Sequence, residues 1–282
     1  MGPLAYITIA TVLGGVASSL AAALVSLAAR KEWIGSLVSF AVGAMLGAAF
    51  LEILPHAFER STNFQGLAAT VLAGICGFFL LEKLVIWRHH HHSIEEAANN
   101  GDQAPSGAKS VAPSAAHSHG HHHPHAQAAD VDGGRSGFLI LVGDSFHNFV
   151  DGVLIAAAFL ESIPLGIVTA TAVIAHEIPQ EVGDFVILLH SGYTRGRALL
   201  LNLISSLAML VGGLLGYVAL NEVREWLNPI LAIAAASMIY IAVADLIPGL
   251  HKRHELRATA TQVSLIALGV LMIWGVGLLT HG

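Results

Sequence analysis

Charge is scarce in this chain. Lys and Arg together number 13 and Asp and Glu 19 among 282 residues, so that 11% are charged, against roughly 25% in a soluble domain. With so few basic residues there is no broad basic patch, and nucleic acid is not an expected partner. Cysteine is nearly absent: Cys76 stands alone inside an apolar run, which excludes an internal disulfide framework and any CxxC metal site. The phosphate-binding pattern GxxxxGKS/T does not occur, so nothing points to nucleotide-driven work. No basic stretch precedes the first apolar run, and that run reads as a retained membrane helix rather than a cleaved signal peptide. The mild negative charge says little about partners.

What the chain has is apolar length. Hydrophobic residues make up 55% of it, in runs that repeat from end to end. Eight runs approach or exceed the ~20 residues a helix needs to cross hydrocarbon: Leu4–Ala29, Ile34–Phe58, Gly66–Trp87, Gly137–Leu160, Pro164–His190, Arg197–Leu220, Trp226–Leu250 and Thr261–Thr280. The expected fold is an all-α polytopic membrane protein, a single membrane domain with helices one to three in residues 1–87 and helices four to eight in 137–282. Between them, residues 88–136 are rich in Ala, Ser, Gly, Pro and His. That segment lacks the apolar content to build a core and is expected to be disordered. Basic residues set the orientation, because cytoplasmic loops carry the excess of Lys and Arg. Arg30, Lys31, Lys83, Arg88, Lys109, Arg135, Arg195, Arg197, Lys252, Arg253 and Arg257 fall on one side, and only Arg60 and Arg224 on the other. Both termini therefore face outward and the His-rich loop faces the cytosol. Gly43-xxx-Gly47 and Gly212-xxx-Gly216 have the spacing that lets helix backbones approach closely, although glycine is also simply common in membrane helices.

Two of the apolar runs carry polar side chains where a bilayer tolerates them least. The fourth contains Asp144, His147, Asn148 and Asp151, and the fifth contains His176, Glu177, Gln180, Glu181 and Asp184. Spacings of three, four and seven residues place the first set on one face of its helix, and Glu177, Glu181 and Asp184 on one face of the next, with His176 and Gln180 beside them. A charged side chain at the bilayer centre costs about 2.5–3.5 kcal/mol on insertion scales, and such groups persist where they face inward, find partners and serve a function. A purely structural network is a weak alternative, since interhelical polar pairs contribute only about 0.6 kcal/mol each. Imidazole nitrogen with carboxylate and amide oxygen is the ligand set of zinc and its divalent neighbours. Pro179 adds a second signal: it removes one helical hydrogen bond and frees the carbonyl near Ala175, and interrupted helices at membrane depth line cavities. Gly152 and Gly183 would leave room nearby. The His176–Gln180 stretch is not a zincin HExxH motif, because the residue four after His176 is Gln180.

HNFVDG (147–152) followed by HEIPQEVGD (176–184) resembles the paired motifs of the ZIP (Zrt/Irt-like) divalent metal transporters, close to the HExPHExGD signature of the histidine-rich subfamily. The eight runs, the outward termini and the long loop after the third run fit that family over essentially the whole chain. The resemblance implies transport of zinc, with iron, manganese or cadmium as alternatives, into the cytosol through a site between helices four and five, in a multi-pass protein of the cell membrane. It implies a binuclear site, with His147, Asp151, His176 and Gln180 at one position and Asn148, Asp151, Glu177 and Gln180 at the other, bridged by Asp151. It implies that Glu181 and Asp184 line the inner exit; Asp144 is a further candidate for the pathway. The metal ion is then substrate and no cofactor is required; a homodimer is left open as the assembly. Three departures stand out. Gln180 replaces a histidine and is a weaker ligand, the first motif ends in Asp151-Gly152 rather than Glu-Gly, and Met209 stands where some bacterial relatives place a Glu on helix six.

Further polar and thioether groups extend the path. Met45 matches the family's outer-gate position, where it could offer sulfur or simply pack. Glu52 and His56, at i and i+4 near the outer end of helix two, could capture metal or be a solvated helix end. Asn202 and Ser205 read as helix-to-helix hydrogen bonds. His89–His92 and His117, His119, His121, His122, His123 and His125 in the loop are largely neutral at cytosolic pH and can bind metal loosely. Two competing classes remain. A cation-diffusion exporter needs six spans and a folded C-terminal domain, and an intramembrane zinc hydrolase needs an open ligand position with a general base.

Overall fold

Long apolar segments deprived of water must satisfy their backbone internally, and helices do so residue by residue. The computed structural model describes residues 2–28, 31–100, 135–251 and 256–281, and it contains eight long helices among them. Helix α1 consists of Pro3–Val12, a π-helical turn at Leu13–Ala17, and Ser18–Ala28; α2 of Lys31–Gly47, a π-helical stretch at Ala48–Ile53, and Leu54–Glu59. Then come α3 (Phe64–Asn100), α4 (Arg135–Glu161), α5 (Ile163–His190) and α6 (Arg195–Glu222). A 3-10 turn at Arg224–Trp226 leads into α7, which runs through Leu227–Tyr240, a π-helical stretch at Ile241–Leu246, and Ile247–Leu250; α8 is Leu256–His281. Seven of the eight are long and apolar enough to cross a membrane. The exception is α5, whose apolar run is broken by His176, Glu177, Gln180, Glu181 and Asp184.

Two of the widened turns have a proline just beyond them. The ring of Pro55 would strike the carbonyl of Leu51, and that of Pro248 the carbonyl of Ala244. Both carbonyls lie in the π-helical stretches, where an extra residue moves them aside. α5 instead stays α-helical through its internal Pro179, so the carbonyl of Ala175 is left without its usual donor. α3 extends past the expected end at Trp87 to Asn100, so the first part of the His-rich loop continues the helix. Residues 101–134 lie outside the described residues.

The outside of the bundle is apolar. Leu72, Phe79, Leu200, Val218, Leu268 and Leu271 are all more than half exposed, as hydrocarbon rather than water demands. Inside, alanine and glycine dominate. Cβ atoms on Gly152 and Gly212 would run into the carbonyls of Met209 and Phe149, so α4 and α6 pack backbone to backbone. Cβ atoms on Gly43 and Gly269 would strike the carbonyls of Ile266 and Phe40, which joins α2 to α8 in the same way. Both small-residue spacings in the sequence thus mark real close approaches.

Only Ser162 separates α4 from α5. Its side chain accepts a hydrogen bond from Leu165 N at 3.2 Å and Pro164 follows in the first turn, so the second helix starts at once and folds back along the first. Counting outward from that hairpin sets residues 147–151 of α4 beside residues 176–177 of α5. At the far end of α5 the chain reverses through Gly192, whose φ of 87° is a left-handed conformation that glycine adopts freely. Thr194 then caps α6, accepting from Arg197 N at 3.4 Å.

Candidate metal centre

α4 contributes His147 and Asp151, one turn apart, and α5 contributes the neighbours His176 and Glu177. One donor atom from each lies within 4.8 Å of the other three. His147 Nε2 is 3.4 Å from His176 Nε2. Asp151 Oδ2 is 3.1 Å from His176 Nε2 and 3.8 Å from His147 Nε2. Glu177 Oε1 is 3.8 Å from both imidazole nitrogens. A tetrahedral ion with bonds near 2.1 Å spaces its donors about 3.4 Å apart, so these side chains need only small shifts to close on one ion.

Hydrogen bonding prepares the donors. His176 Nδ1 lies 3.2 Å from the carbonyl of Ala172, one turn earlier on the same helix. A carbonyl only accepts, so Nδ1 carries the proton and Nε2 presents its lone pair inward. That lone pair then meets Asp151 Oδ2, another acceptor, and only a cation or a proton between them makes the contact favourable. Asp151 Oδ2 and both oxygens of Glu177 accept no hydrogen bond among the described residues. Glu177 is wholly buried and His176 nearly so, while the side chain of His147 is 22% exposed. Uncompensated carboxylates at this depth are strongly unfavourable, and a divalent ion with two imidazoles satisfies them.

A second polar group lies further along the same interface, toward the α5–α6 turn. Asn148 donates to the Asp144 carbonyl at 3.2 Å and to Asp144 Oδ1 at 3.0 Å. Asp184 sits beside Asp144. Glu181 Oε1 accepts from the Ser206 hydroxyl of α6 at 2.6 Å, and Asn202 of α6 donates to the Glu181 carbonyl at 3.3 Å. Ser19 of α1 touches Ser206 in turn. Asp144 Oδ2, Asn148 Oδ1, Glu181 Oε2 and Asn202 Oδ1 remain without hydrogen-bond partners among the described residues. Every donor this group offers is oxygen.

Of the residues expected at the site, His147, Asp151, His176 and Glu177 converge on one point. Asn148 and Glu181 belong to the second group, with Asp144 and Asp184. Gln180 is half-buried one turn beyond His176. Met209 is fully buried, and its Sδ would lie 2.7 Å from a Cβ on Gly14, with Ile174 alongside; it fills the junction of α1, α5 and α6. Gly152 serves the α4–α6 contact rather than the site, whereas Gly183 faces open space. Asn202 does join α6 to α5, Ser205 bonds within its own helix to Asn202 O at 2.8 Å and also reaches the Asp144 carboxylate of α4, and Ser206 adds the bond to Glu181. Met45 is wholly buried in the apolar core. Glu52 packs against Gly277 of α8. His56 lies 3.2 Å from Glu161 at the end of α4, and Arg60 lies 2.5 Å from the same carboxylate oxygen. The pairing of Glu161 with Arg60 carried no signal in the sequence: they stand 101 residues apart, and neither falls in a motif.

A profile of the family described as "ZIP Zinc transporter" matches residues 2–277. Zinc transporter ZIP13 of Mus musculus is 33% identical over 259 residues, covering 84% of this chain and 68% of that protein. Zinc transporter ZIP13 of Homo sapiens is 32% identical over 268 residues, covering 84% and 69%. Zinc transporter ZIP4 of Mus musculus is 32% identical over 254 residues, covering 76% of this chain but only 38% of the relative.

Proposed function

The chain belongs to the ZIP zinc transporter family, and from that premise we propose that it carries a divalent metal ion, zinc foremost, across the cell membrane into the cytosol. The observation that carries this reading is the meeting of two imidazole lone pairs and two buried carboxylates at one point of the α4–α5 interface. Nitrogen and oxygen in equal number suit zinc and its first-row neighbours, with iron, manganese and cadmium as further cargo. Affinity alone would not exclude copper, so geometry and supply decide between them.

In this reading the ion enters from the side opposite the basic loops and sheds water onto His147, Asp151, His176 and Glu177. Gln180 lies near enough in sequence to supply an amide oxygen as the set rearranges. The ion then passes inward along Asn148, Asp144, Glu181 and Asp184 toward the histidines of the cytosolic loop, with the termini on the outer side. The carboxylates replace the neutralisation that water provides in solution. Metal binding requires the ligands deprotonated, so acid on the outer side opposes loading.

Zinc uptake into proteoliposomes tests this. The wild-type chain takes up zinc and the Asp151→Ala/Glu177→Ala variant does not. Equal uptake by both removes the α4–α5 group from the path.

A further inference from the structure

At the other end of α4 from the basic loops, two side chains from the end of α2 close on one carboxylate oxygen of α4. Glu161, the last residue of α4, has a side chain only 5% exposed although it ends its helix. Its Oε1 lies 3.2 Å from His56 Nε2 and 2.5 Å from Arg60 Nη1. The Arg60 side chain is 61% exposed and the His56 side chain 24%. A carboxylate that is almost buried is costly without a cation. The cation it has is carried on a long, solvated stem that leaves readily. Arg60 is also one of only two basic residues assigned to that face by the sequence. Glu52 stands one turn further in on α2.

We propose that Glu161 and His56 form a metal-acquisition site at the outer mouth, in which the Arg60 guanidinium holds the place of the ion until the ion displaces it. This rests on the transport reading above, which makes this end the entrance. Imidazole nitrogen and carboxylate oxygen are ligands for the same cargo as the inner group. Asp151 lies ten residues back along α4, about 15 Å at the helical rise, so an ion held here is about three helical turns from the four converging donors. A hydrated divalent ion arriving at this mouth exchanges some of its water for Nε2 and Oε1, while Arg60 swings into solvent. The tethered charge keeps the carboxylate compensated between ions and weakens the site enough for release inward.

The alternative is a simple clamp fastening the α4–α5 hairpin to α2, and the two accounts differ in sign. The probe is Co²⁺, titrated by its absorption into the full chain carrying Asp151→Ala/Glu177→Ala, with its ten loop histidines changed to glutamine. Arg60→Gln should tighten the remaining binding about two- to five-fold, the range of a partly exposed charge pair, while His56→Ala and Glu161→Gln should each weaken it. The same opposite shifts should appear in KM for zinc uptake by chains that keep Asp151 and Glu177. A clamp predicts that all three substitutions act in one direction and lower the thermal midpoint together. That result, or no shift from any of the three, overturns the proposal. If the shifts appear in binding but the otherwise unaltered chain takes up no zinc, the transport reading fails and the outer site stands.

Discussion

Two polar groups share the α4–α5 interface, and they treat their carboxylates differently. In the first, Asp151 and Glu177 face His147 and His176 with no hydrogen-bond donor between them. In the second, each of Asp144 and Glu181 gives one oxygen to a protein donor, Asn148 or Ser206, and keeps the other free. The first arrangement is unfavourable until a cation enters it. The second is partly satisfied already and is tied to α6 and α1 through Ser206, Asn202 and Ser19. A place to stop and a lining to pass along need this difference: convergent donors bind, whereas donors with a standing partner exchange.

The sharpest way to break the comparison is in the first group. His176→Ala should abolish uptake, because it removes a nitrogen donor and leaves Asp151 and Glu177 mutually repelling; retained uptake, read as zinc flux in proteoliposomes, would mean the groups are alike. The next largest effect is on the opposite face of α4. Gly152→Val must push α6 away from the Met209 carbonyl, and overpacking of this kind destabilises by about 1–3 kcal/mol; a lowered thermal midpoint checks it, and Gly183→Ala, facing open space, should leave the midpoint nearly unchanged. Glu181→Gln should slow uptake without abolishing it, since Asp144 and Asp184 still line that stretch, and the rate at saturating zinc is the measure. The smallest effect belongs to Ser206→Ala. It removes one interhelical hydrogen bond to Glu181, worth about 0.6 kcal/mol on average in membrane proteins, and should appear in stability before it appears in transport.

Much of this was legible in the sequence. Apolar runs are long enough to count, and seven of the eight helices are long and apolar enough to cross a membrane. Residues at i, i+3, i+4 and i+7 must share a helix face, so His147 with Asp151, and Glu177 with Glu181 and Asp184, could be assigned before any coordinates, whereas the convergence of the adjacent residues His176 and Glu177 on one point could not. The single-residue link at Ser162 then fixes the two faces against each other. What periodicity cannot give is which member of a stripe converges with which. Asp144 and Asn148 lie on the same face of α4 as Asp151, yet they turn to each other and to α6. Glu161 stayed hidden for a related reason: its partners come from α2, and pairing across helices depends on packing rather than spacing. Met209 was readable as a departure from a ligand, but its place against Gly14 follows from the π-helical turn of α1, which leaves no pattern in hydropathy.

The comparison comes down to where the first ion stops. X-ray absorption at the zinc edge decides this, on the full chain with its ten loop histidines changed to glutamine and one equivalent of zinc bound. The account predicts two imidazole nitrogens and two carboxylate oxygens at about 2.0–2.2 Å. A shell of oxygen alone would place the ion among Asp144, Asn148 and Glu181 and contradict it.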